Sequence, residues 1–492
     1  MDMDEGHGAG SERDRRHDRR HVYIGGRWVE SASARVVEVY DSVTEEVMGC
    51  APEGHPTDVD HAVEAARAAF DEWAATPVGE RAALMAKAAD GLAARADELT
   101  TLITRETGMP VEGCRVVQVG GAVHFVRVAA EVAVDFAYEE RIKHSLVVRE
   151  PVGVVGAIAP WNFPLNQMVK KVAYAMAAGC TVVAKPSEVA PLDAYVLTEV
   201  LDEIGLPPGV FNLVPGIGPT VGQAMSAHPD VDMVSLTGST ASGTKVMQSA
   251  ATTIKRVGLE LGGKSANILL DDLSDDAFRD AVSQGVQRAF MNGGQICAAL
   301  TRMLVPQSRL DLAEEVLSAV VGDMRVGDPF DPATVVGPLA SAAHRDRVVG
   351  MIRAGLEDGA ALLVGGPDRP EGVDRGYYVR PTVFTRVDNS MRIAQEEIFG
   401  PVLCLIPYRD DADAVRIAND SQYGLSGGVW SADVARAELV ARRIRTGAVY
   451  VNGAATNVYA PFGGYKRSGI GREYGRFGFE EYLQIKSLHL PS

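Results

Sequence analysis

The sequence predicts an α/β protein built from two doubly wound parallel-sheet domains. From Pro151 onward, short apolar strands alternate with segments of helical periodicity, which is the pattern of a parallel sheet with crossover helices. A second alternation of the same kind runs from Asp276 to about Tyr450. The 492 residues also exceed the usual size of one hydrophobic core, so two or more domains are expected.

The composition indicates a soluble globular protein without nucleic-acid or membrane partners. Hydrophobic residues make up 46% of the chain and charged residues 23%, which is ordinary for a folded protein. The formal net charge of -17 repels nucleic acid and anionic membrane surfaces, and no basic patch interrupts it in the region predicted to fold. The longest apolar run, Val152 to Pro160, is far too short to span a membrane.

Cysteine usage and the N-terminal segment predict a cytoplasmic protein. The five cysteines lie far apart, are odd in number and form no Cys-x-x-Cys pair, so neither a disulfide framework nor a zinc site is expected. Residues 1–21 are mostly charged residues, His and Gly, and they lack the apolar stretch of a secretion signal. We therefore expect a flexible tail over residues 1–21 and a cytoplasmic location.

The first folded segments are predicted to be a hairpin and three helices. Residues 22–29 indicate a hairpin that turns at Gly25 and Gly26. Thr57 and Asp60 have the composition of a capping box, and they predict the start of a helix. The apolar residues of that helix recur at helical spacing and are Val59, Val63, Ala66, Phe70 and Trp73. A second helix is expected from about Arg81 to Leu92, and a third ends near Thr107.

The first alternation of strands and helices is predicted to form one unit. Its strands are residues 152–158, 181–184, 210–214 and 233–236, and its helices are residues 167–178 and 192–204. The apolar runs 257–261 and 267–270 are predicted to end this unit. The second alternation then forms the other domain.

Glu260 and Cys297 lie in runs whose composition suits chemistry better than packing. Glu260 stands between two leucines and is followed by two glycines, which let the backbone come close to another group. Cys297 ends the run NGGQIC. A cysteine thiolate and a carboxylate that activates water are the minimal set for forming and hydrolysing a thioester. Each residue alone also has a structural explanation, an inert buried thiol or an exposed acid on a half-buried strand.

Two segments indicate a dinucleotide site. Residues 237–243 lie between a strand and a helix, where backbone N–H groups at the positive end of the helix dipole suit a pyrophosphate. The alternative is a plain capped turn, since the run lacks the GxGxxG fingerprint. Lys185 and Glu188 follow a strand at the sheet edge where ligands collect, and Glu188 favours NAD because it would repel a 2'-phosphate. The alternative for both is a solvated loop charge.

Asn162 is a candidate donor to an oxyanion. It lies in the run PWNFP, residues 160–164, directly after a buried strand. An amide held between bulky rings and prolines can aim its N–H at developing negative charge. Removal of such a donor costs about 100-fold or more in rate.

Together these runs resemble the aldehyde dehydrogenase superfamily, and the resemblance extends from about Tyr23 to Leu490. The matching runs occur in the family's order, which makes the resemblance specific. They are PWNFP (160–164), AAGCTVVAKPSE (177–188), TGST (237–240), LELGGKS (259–265), GGQIC (293–297), QEEIFGPV (395–402) and PFGGYKRSGIGRE (461–473).

The resemblance implies an enzyme that oxidises an aldehyde to a carboxylic acid with NAD, or with NADP, and without a metal. It implies that Cys297 is the nucleophile, that Glu260 is the general base and that Lys171 supports the site. Asn162 and the backbone N–H of Cys297 would form the oxyanion hole, and Glu473 matches a position proposed to assist proton relay. The implied cofactor-binding residues are Trp161, Lys185, Ser187, Glu188, Gly238, Ser239, Glu397 and Phe399.

The resemblance also implies a domain plan. A Rossmann-like NAD-binding domain would comprise residues 22–135 and 152–262, and a catalytic domain residues 263–462. Oligomerisation segments would comprise residues 136–151, as a β-hairpin that pairs with another subunit, and residues 463–492. A homodimer or homotetramer is therefore expected.

A substrate tunnel is implied by motif position. Its lining residues would be Phe163, Gln167, Lys170, Ile296, Ala298, Thr456, Tyr459 and Phe462. Several are polar or small where relatives that oxidise fatty or aromatic aldehydes resemble each other in carrying bulky rings, so we expect a short or medium aldehyde. Lys170 matches a position where semialdehyde-oxidising relatives carry an arginine for the distal carboxylate, which would favour an anionic far end. The alternative is that Lys170 points to solvent or pairs with an acid.

Other classes of protein remain as alternatives. A CoA-acylating relative would transfer the thioester to a thiol, and a phosphate-reducing semialdehyde enzyme would run a related reaction. Both are disfavoured by the acid at position 260. A non-catalytic NAD-binding or structural protein of the same fold would not need Cys297, Asn162 and Glu260 together, and all three are present.

Overall fold

The computed structural model describes residues 17–491, which form four β-sheets and the helices that cover them. The strands are β1 His17–Asp18, β2 His21–Ile24, β3 Arg27–Glu30, β4 Val36–Tyr40, β5 Val47–Pro52, β6 Glu139–Ile142, β7 Ser145–Pro151, β8 Val154–Ile158, β9 Thr181–Lys185, β10 Phe211–Leu213, β11 Met233–Thr237, β12 Arg256–Glu260, β13 Ala266–Leu269, β14 Arg302–Pro306, β15 Ala361–Val364, β16 Thr382–Thr385, β17 Val402–Tyr408, β18 Ser426–Trp430, β19 Ala448–Val451, β20 Gly469–Ile470 and β21 Leu483–His489.

The helices occupy the segments between these strands. They are α1 Pro56–Ala75, α2 Val78–Ala94, α3 Ala96–Thr107, α4 Val111–Gly113, α5 Gly121–Asp135, α6 Pro164–Ala178, α7 Leu192–Glu203, α8 Gln223–Ala227, α9 Thr240–Ala250, α10 Asp275–Phe290, α11 Leu310–Gly322, α12 Ala342–Glu357, α13 Arg392–Gln395, α14 Asp411–Asn419, α15 Val434–Ala441 and α16 Gly475–Glu480. Two π-helical turns, Cys114–Gly120 and Gly218–Gly222, lead into α5 and α8, and 3-10 turns lie at Met291–Gly294, Gln307–Arg309 and Lys466–Ser468.

The first large sheet has eight strands in the order β20-β12-β11-β8-β9-β10-β2-β3. Strands β8 to β12 run parallel, and β20 and the β2–β3 hairpin join them antiparallel. The apolar runs predicted as strands become the buried centre of this sheet, because a strand covered on both faces has no polar side. Register pairs Ile158 with Lys185 and Thr237 with Glu260, so the carboxyl ends of four strands meet at one edge.

The second large sheet has seven strands in the order β15-β16-β17-β14-β13-β18-β19, and only β15 of these is antiparallel. The prediction that residues 267–270 end the first unit is wrong, because β13 lies at the centre of this second sheet between β14 and β18. The change of sheet falls between Glu260 and Ala266, next to the boundary at residue 263 that the family resemblance implies. Two parallel α/β sheets of this kind confirm the predicted fold class.

A smaller sheet has the order β21-β7-β6. Strands β6 and β7 form the hairpin expected within residues 136–151, and the side chains of β6 are exposed. Residues 463–492, assigned above to a second oligomerisation segment, divide between two sheets. Within this segment β20 extends the first large sheet and β21 pairs with β7.

The start of the described chain differs from two predictions. Most of the predicted tail lies outside the described residues, but residues 17–21 do not belong to a tail, because β1 pairs with β5 and His21 opens β2. The cap of α1 is also earlier than predicted. His55 Nδ1 accepts from the backbone N–H of Thr57, and Asp58 accepts from the backbone N–H of His55 at 3.0 Å. Pro56 occupies the first helical position, so the cap must precede it.

The helix that runs through residues 111–135 is apolar and long enough to span a membrane by length and composition alone, and 56% of its most apolar window is buried inside the protein. It packs against α2 and α6. Its apolar side chains, including Phe125 and Val126, belong to the core of the first domain. We therefore interpret it as a core helix.

Candidate active site

The candidate site lies at the carboxyl edge of the first sheet, where the loop before β14 approaches from the second domain. A cavity of about 430 Å³ opens there between the two domains. Eight of the predicted residues line it, namely Trp161, Asn162, Gly238, Ser239, Glu260, Cys297, Glu397 and Phe399. The structure thus brings together catalytic and cofactor candidates that lie far apart in the chain.

Cys297 is presented by a tightly bent loop. Asn292, Gly293 and Gly294 have φ angles of 52°, 62° and 74°, a left-handed conformation that glycine adopts at little cost. A side chain at Gly294 would also place its Cβ 2.2 Å from the carbonyl oxygen of Gly400. Cys297 is half-buried, whereas the other four cysteines are buried. Burial, together with the carboxyls of Glu260 and Glu397, raises the pKa of the Cys297 thiol to about 12.

Asn162 is fixed against that loop by hydrogen bonds at both ends of the residue. Its side-chain Nδ2 donates to the carbonyl of Gln295 at 2.9 Å. Its backbone carbonyl accepts from Gln118 Nε2 at 2.9 Å and from Asn292 Nδ2 at 3.0 Å. Asn162 follows β8 and precedes α6, whose first residue is Pro164. The amide therefore faces the segment that carries Cys297.

Glu260 is the last residue of β12 and is only 6% exposed. Neither of its side-chain oxygens accepts or donates a hydrogen bond within residues 17–491. Burial, and next the carboxylate of Glu473, raises its pKa well above the ordinary value. Gly463 leaves room for it, since a Cβ there would lie 2.7 Å from Glu260 Oε1. A buried, unpaired carboxyl near a thiol has the properties of a general base.

Lys171 and Glu473 form a buried ion pair beside Glu260. The distance between Lys171 Nζ and Glu473 Oε1 is 2.6 Å, and the lysine side chain is fully buried. Glu473 is held in turn by backbone hydrogen bonds in both directions with Phe462. The structure thus places Lys171 and Glu473 next to the predicted base.

The other half of the cavity is lined by aromatic rings and a carboxylate. Trp161 packs edge-to-face on Phe399, with ring centroids 5.4 Å apart. Glu397 accepts a hydrogen bond from the backbone N–H of Gly263 at 3.0 Å, and burial raises its pKa to about 7. A Cβ at Gly262 would lie 1.9 Å from Glu397 Oε2, so glycine is required for this approach. Ribose hydroxyls suit such an acceptor.

Gly238 and Ser239 lie where α9 begins. Ser239 is the N-cap of the helix and accepts from the backbone N–H of Ser242 at 3.1 Å. The positive end of the α9 dipole therefore borders the cavity, as a pyrophosphate requires. The residues present fit a dinucleotide such as NAD.

Lys185 ends β9, and Ser187 and Glu188 follow it; none of the three is among the residues that line the cavity. Lys185 is 2% exposed, and its Nζ donates to the carbonyl of Pro186 at 2.8 Å and to Glu188 Oε2 at 3.3 Å. Burial lowers the pKa of Lys185, with Glu188 acting in the opposite direction. The alternative of solvated loop charges is wrong for Lys185 and holds in part for Glu188, which is half-exposed.

The eight predicted tunnel residues do not line one cavity. Phe163, Gln167 and Lys170 are buried at the start of α6, and Ile296 and Ala298 flank Cys297. Thr456 and Phe462 line a second cavity of about 350 Å³ together with Tyr474. Tyr459 instead lines a third cavity of about 540 Å³, where its hydroxyl donates to Glu131 at 2.7 Å. The prediction that all eight residues line one substrate tunnel is therefore wrong for Tyr459, whose side chain lines the third cavity and is hydrogen-bonded to Glu131.

The alternative that Lys170 points to solvent or pairs with an acid is wrong. Lys170 is 5% exposed, and its Nζ donates to the hydroxyl of Tyr474 at 3.0 Å. The ammonium also lies 4.4 Å from the ring centroid of Phe125. Burial lowers its pKa to about 8, although Glu473 and Cys297 act in the opposite direction.

Two residues of the cavity lie outside every run that was singled out in the sequence. His344 and Arg347 lie one turn apart on α12 and line the cavity with Trp161. His344 packs against the Trp161 ring at 4.8 Å between centroids, and burial lowers its pKa to about 4. Arg347 donates to the backbone carbonyls of Glu397 and Ile398 at 2.7 and 2.9 Å. Their helix carries no local motif, so only the tertiary structure identifies them.

Within residues 17–491, no group of three or more His, Cys, Asp or Glu side chains is placed to hold a metal ion. The polar side chains that line the cavity are a thiol, an amide, two carboxyls, two hydroxyls, an imidazole and a guanidinium, beside aromatic rings. Its chemistry is therefore that of nucleophilic and acid–base catalysis beside a dinucleotide cradle.

Comparison with known proteins finds one family and several relatives that are similar to this chain over nearly its whole length. The model of the aldehyde dehydrogenase family matches residues 28–488. The 3-succinoylsemialdehyde-pyridine dehydrogenase of a Pseudomonas species is 50% identical over 473 residues, which cover 96% of this chain and 98% of that protein.

Solved structures are similar over nearly the whole chain. A mutant of aldehyde dehydrogenase C from Pseudomonas syringae, in complex with NAD+ and octanal, matches with a TM-score of 0.94 and 48% identity, covering 98% of each chain. An aldehyde dehydrogenase of Mycobacterium tuberculosis, in complex with NAD+, matches with a TM-score of 0.94 and 46% identity, covering 97% of this chain and 99% of that one.

Proposed function

The chain belongs to the aldehyde dehydrogenase family, and we propose that Cys297 and Glu260 carry its reaction as nucleophile and general base. The protein is an NAD-dependent oxidoreductase that converts an aldehyde to a carboxylic acid. One observation supports the assignment of roles most strongly. The thiol, the unpaired carboxyl and the amide of Asn162 line the same cavity as the dinucleotide cradle.

The first step is attack of the Cys297 sulfur on the aldehyde carbon. The thiol must lose its proton first, because the thiolate is the nucleophile. A tetrahedral thiohemiacetal then forms, and its oxyanion receives hydrogen bonds from Asn162 Nδ2 and from the backbone N–H of Cys297. The carbonyl of Gln295 holds the amide, and Asn292 Nδ2 holds the backbone carbonyl of Asn162, before substrate arrives, so no reorganisation is needed at that moment.

Bound NAD supplies the acceptor for the hydride that the thiohemiacetal carbon loses, which leaves a thioester on Cys297. We assign the pyrophosphate to Ser239 and the start of α9, and the nicotinamide ribose to Glu397. Trp161 and Phe399 wall this part of the cavity.

Hydrolysis of the thioester falls to Glu260. Its carboxylate takes a proton from a water molecule, which attacks the acyl carbon and releases the acid with regeneration of Cys297. The raised pKa makes the carboxylate a stronger base once ionised. Lys171 and Glu473 lie beside it and provide a route for the proton.

Glu188 supports a preference for NAD over NADP. Its carboxylate lies 3.3 Å from Lys185 Nζ at the end of β9, where it can accept from the 2'-hydroxyl of the adenine ribose. A 2'-phosphate would meet like charge there. The same residues would hold NADP only if Glu188 turned away.

For the substrate we propose a short or medium aldehyde with a hydrogen-bond acceptor at its far end. Lys170 has spare N–H donors after its bond to Tyr474, and Tyr474 lines the second cavity with Thr456 and Phe462. The 50% identical relative is named for a semialdehyde that carries a pyridine. The test compares three aldehydes whose far ends are anionic, neutral polar and apolar, namely succinate semialdehyde, 4-oxopentanal and pentanal. Equal kcat/KM for all three would contradict the proposal.

We also propose a homodimer or homotetramer in the cytoplasm. The exposed strand β6 offers a sheet edge for pairing with a second copy. A reducing compartment would keep the Cys297 thiol available. Light scattering of the purified protein and cell fractionation test the two statements separately.

The experiment for the reaction itself measures NADH formation with a panel of aldehydes, beside Cys297→Ala and Glu260→Gln. We expect turnover in the wild type, none in Cys297→Ala, and release of one NADH per site in Glu260→Gln. Turnover that needs added CoA would instead favour the acylating alternative.

A further inference from the structure

Gln118 is a buried glutamine whose amide is only half used. Its side chain is 0% exposed, and its Nε2 donates to the backbone carbonyl of Asn162 at 2.9 Å. Its Oε1 is buried and accepts no hydrogen bond from residues 17–491. A buried amide oxygen without a donor costs stability, whereas an apolar side chain of the same length does not carry that cost. Packing alone therefore does not explain a glutamine at this position.

The segment that carries Gln118 is a π-helical turn. Residues Cys114–Gly120 form this turn and lead into α5. Such turns are rare in proteins and are frequent at functional sites. Gln118 and Val119 are buried in it, whereas Val116 is 67% exposed. The turn therefore directs Gln118 inward, towards the end of β8 where Asn162 lies.

Gln118 differs from the other hydrogen-bond partners of Asn162 in its place in the fold. Gln295 accepts from Asn162 Nδ2, and Asn292 donates to the carbonyl of Asn162. Both of these partners lie on the loop that leads to Cys297, at the edge of the second large sheet. Gln118 instead belongs to the helix that packs in the core of the first domain. It therefore joins Asn162 to the domain in which α9 begins.

We propose that Gln118 is a positioning residue, which fixes Asn162 relative to bound NAD. The thiohemiacetal must lie next to the nicotinamide for hydride transfer, and small errors in such a placement slow the reaction strongly. Asn162 holds the oxyanion of that intermediate, and the start of α9 holds the pyrophosphate of NAD. Gln118 acts through Asn162 and leaves the chemistry to it. This inference rests on the proposed role of Asn162 as the oxyanion donor.

Gln118→Met separates positioning from packing. Methionine has nearly the length and volume of glutamine, and the carbonyl of Asn162 keeps its bond from Asn292. No acceptor therefore loses its last partner, and the unpartnered Oε1 is removed. We expect the Tm to stay within about 2 °C of the wild type or to rise.

The rate of the first half of the reaction should fall in the same variant. NADH formation is followed in a single turnover, with enzyme and NAD in excess of the panel aldehyde that the wild type oxidises fastest. Hydrolysis of the thioester does not enter this rate. In Gln118→Met we expect it to fall on the order of 10-fold, because the oxyanion donor is displaced but still present. The amplitude should stay at one NADH per aldehyde, and the Kd for NAD should not change.

Gln284→Met is the matched control for the substitution. Gln284 is exposed on α10, so the same change of side chain is made away from Asn162. Its rate, amplitude and Tm should equal those of the wild type.

A double-mutant cycle tests whether Gln118 acts through Asn162. Once the side-chain amide of Asn162 is removed, its placement no longer matters. In the Asn162→Ala background, Gln118→Met should therefore change the single-turnover rate by less than about 2-fold. If the two losses multiplied instead, Gln118 would act by a separate route and the proposal would be overturned.

The outcomes distinguish this inference from the proposed function. A wild-type rate in Gln118→Met, or a loss of amplitude together with a lower Tm, would overturn the positioning role of Gln118. A wild-type rate in Asn162→Ala would instead overturn Asn162 as the oxyanion donor, on which the inference rests.

Discussion

Asn162 Nδ2 donates to the backbone carbonyl of Gln295 at 2.9 Å, which joins the end of β8 to the loop of the nucleophile two residues before Cys297. The hydrogen bond crosses the boundary between the two large sheets. It uses one amide hydrogen and leaves the other for the substrate. This hydrogen bond therefore positions the oxyanion donor and the loop that carries the thiol relative to each other.

Asn162→Ala should lower kcat by about 100-fold or more while the Kd for NAD stays nearly constant, because the donor acts on charge that develops in the reaction. Steady-state kinetics and a fluorescence titration of NAD measure the two quantities. Asn166→Ala is the matched control, since Asn166 Nδ2 donates to the carbonyl of Val117 and only structure is lost. Equal losses of kcat in both variants would contradict the role.

Glu397 predicts a pH dependence of cofactor binding. Burial raises its pKa to about 7, so its carboxylate is present above that pH and is protonated as the pH falls below it. The KM for NAD should therefore rise below pH 7, by about 5-fold for loss of a charge-assisted hydrogen bond. Glu397→Gln should have the raised KM at every pH. The exposed neighbour Glu396→Gln should behave as the wild type.

Glu188 predicts the choice of cofactor. Glu188→Ala removes a negative charge from the proposed ribose site, so kcat/KM with NADP should rise on the order of 10-fold and that with NAD should fall. The ratio of the two constants is the measurement. Glu203→Ala, on the exposed end of α7, removes the same charge elsewhere and should leave the ratio unchanged. An unchanged ratio in Glu188→Ala would mean that the carboxylate does not face the ribose.

The raised pKa of the buried Asp193 predicts how the free energy of unfolding depends on pH. Burial raises its pKa from 3.8 to about 8, so between these values the folded protein holds a proton that the unfolded chain has lost. The free energy of unfolding must then fall as pH rises through that window. Asp193→Asn cannot ionise, and its Tm should fall less than that of the wild type between about pH 5 and about pH 8. If the Tm of Asp193→Asn fell as steeply with pH as the Tm of the wild type, the prediction would be wrong. Asp280→Asn is the control, because Asp280 is exposed, and its Tm should change with pH as that of the wild type does.

The sequence predicted the parts of the fold that depend on local patterns. Apolar runs such as that of β8 become central strands because both faces of a parallel sheet are covered. It did not predict that β13 belongs to the second sheet, because the sequence of a short apolar strand does not indicate which strands it pairs with. The cap of α1 was missed because histidine is an unusual N-cap residue, although Asp58 completes the capping box by accepting from the backbone N–H of His55.

The residues of the candidate site also divide into those that a local sequence pattern predicts and those that only the tertiary structure identifies. Cys297, Glu260 and Asn162 each lie in a recognisable run, and the structure places all three around one cavity. His344 and Arg347 were missed, because they reach the cavity from α12 without a motif of their own. The tunnel residues were predicted one by one from position, but the directions of side chains such as Tyr459 depend on hydrogen bonds that only the fold creates.

The most direct test of the two-step reaction follows NADH formation by rapid mixing in Glu260→Gln. The thiol and the oxyanion donors remain in this variant, so the first half of the reaction should proceed and hydrolysis should stall. We expect a burst of one NADH per active site, followed by a steady rate reduced about 100-fold or more. Steady turnover at the wild-type rate, without a burst, would contradict Glu260 as the base that hydrolyses the thioester.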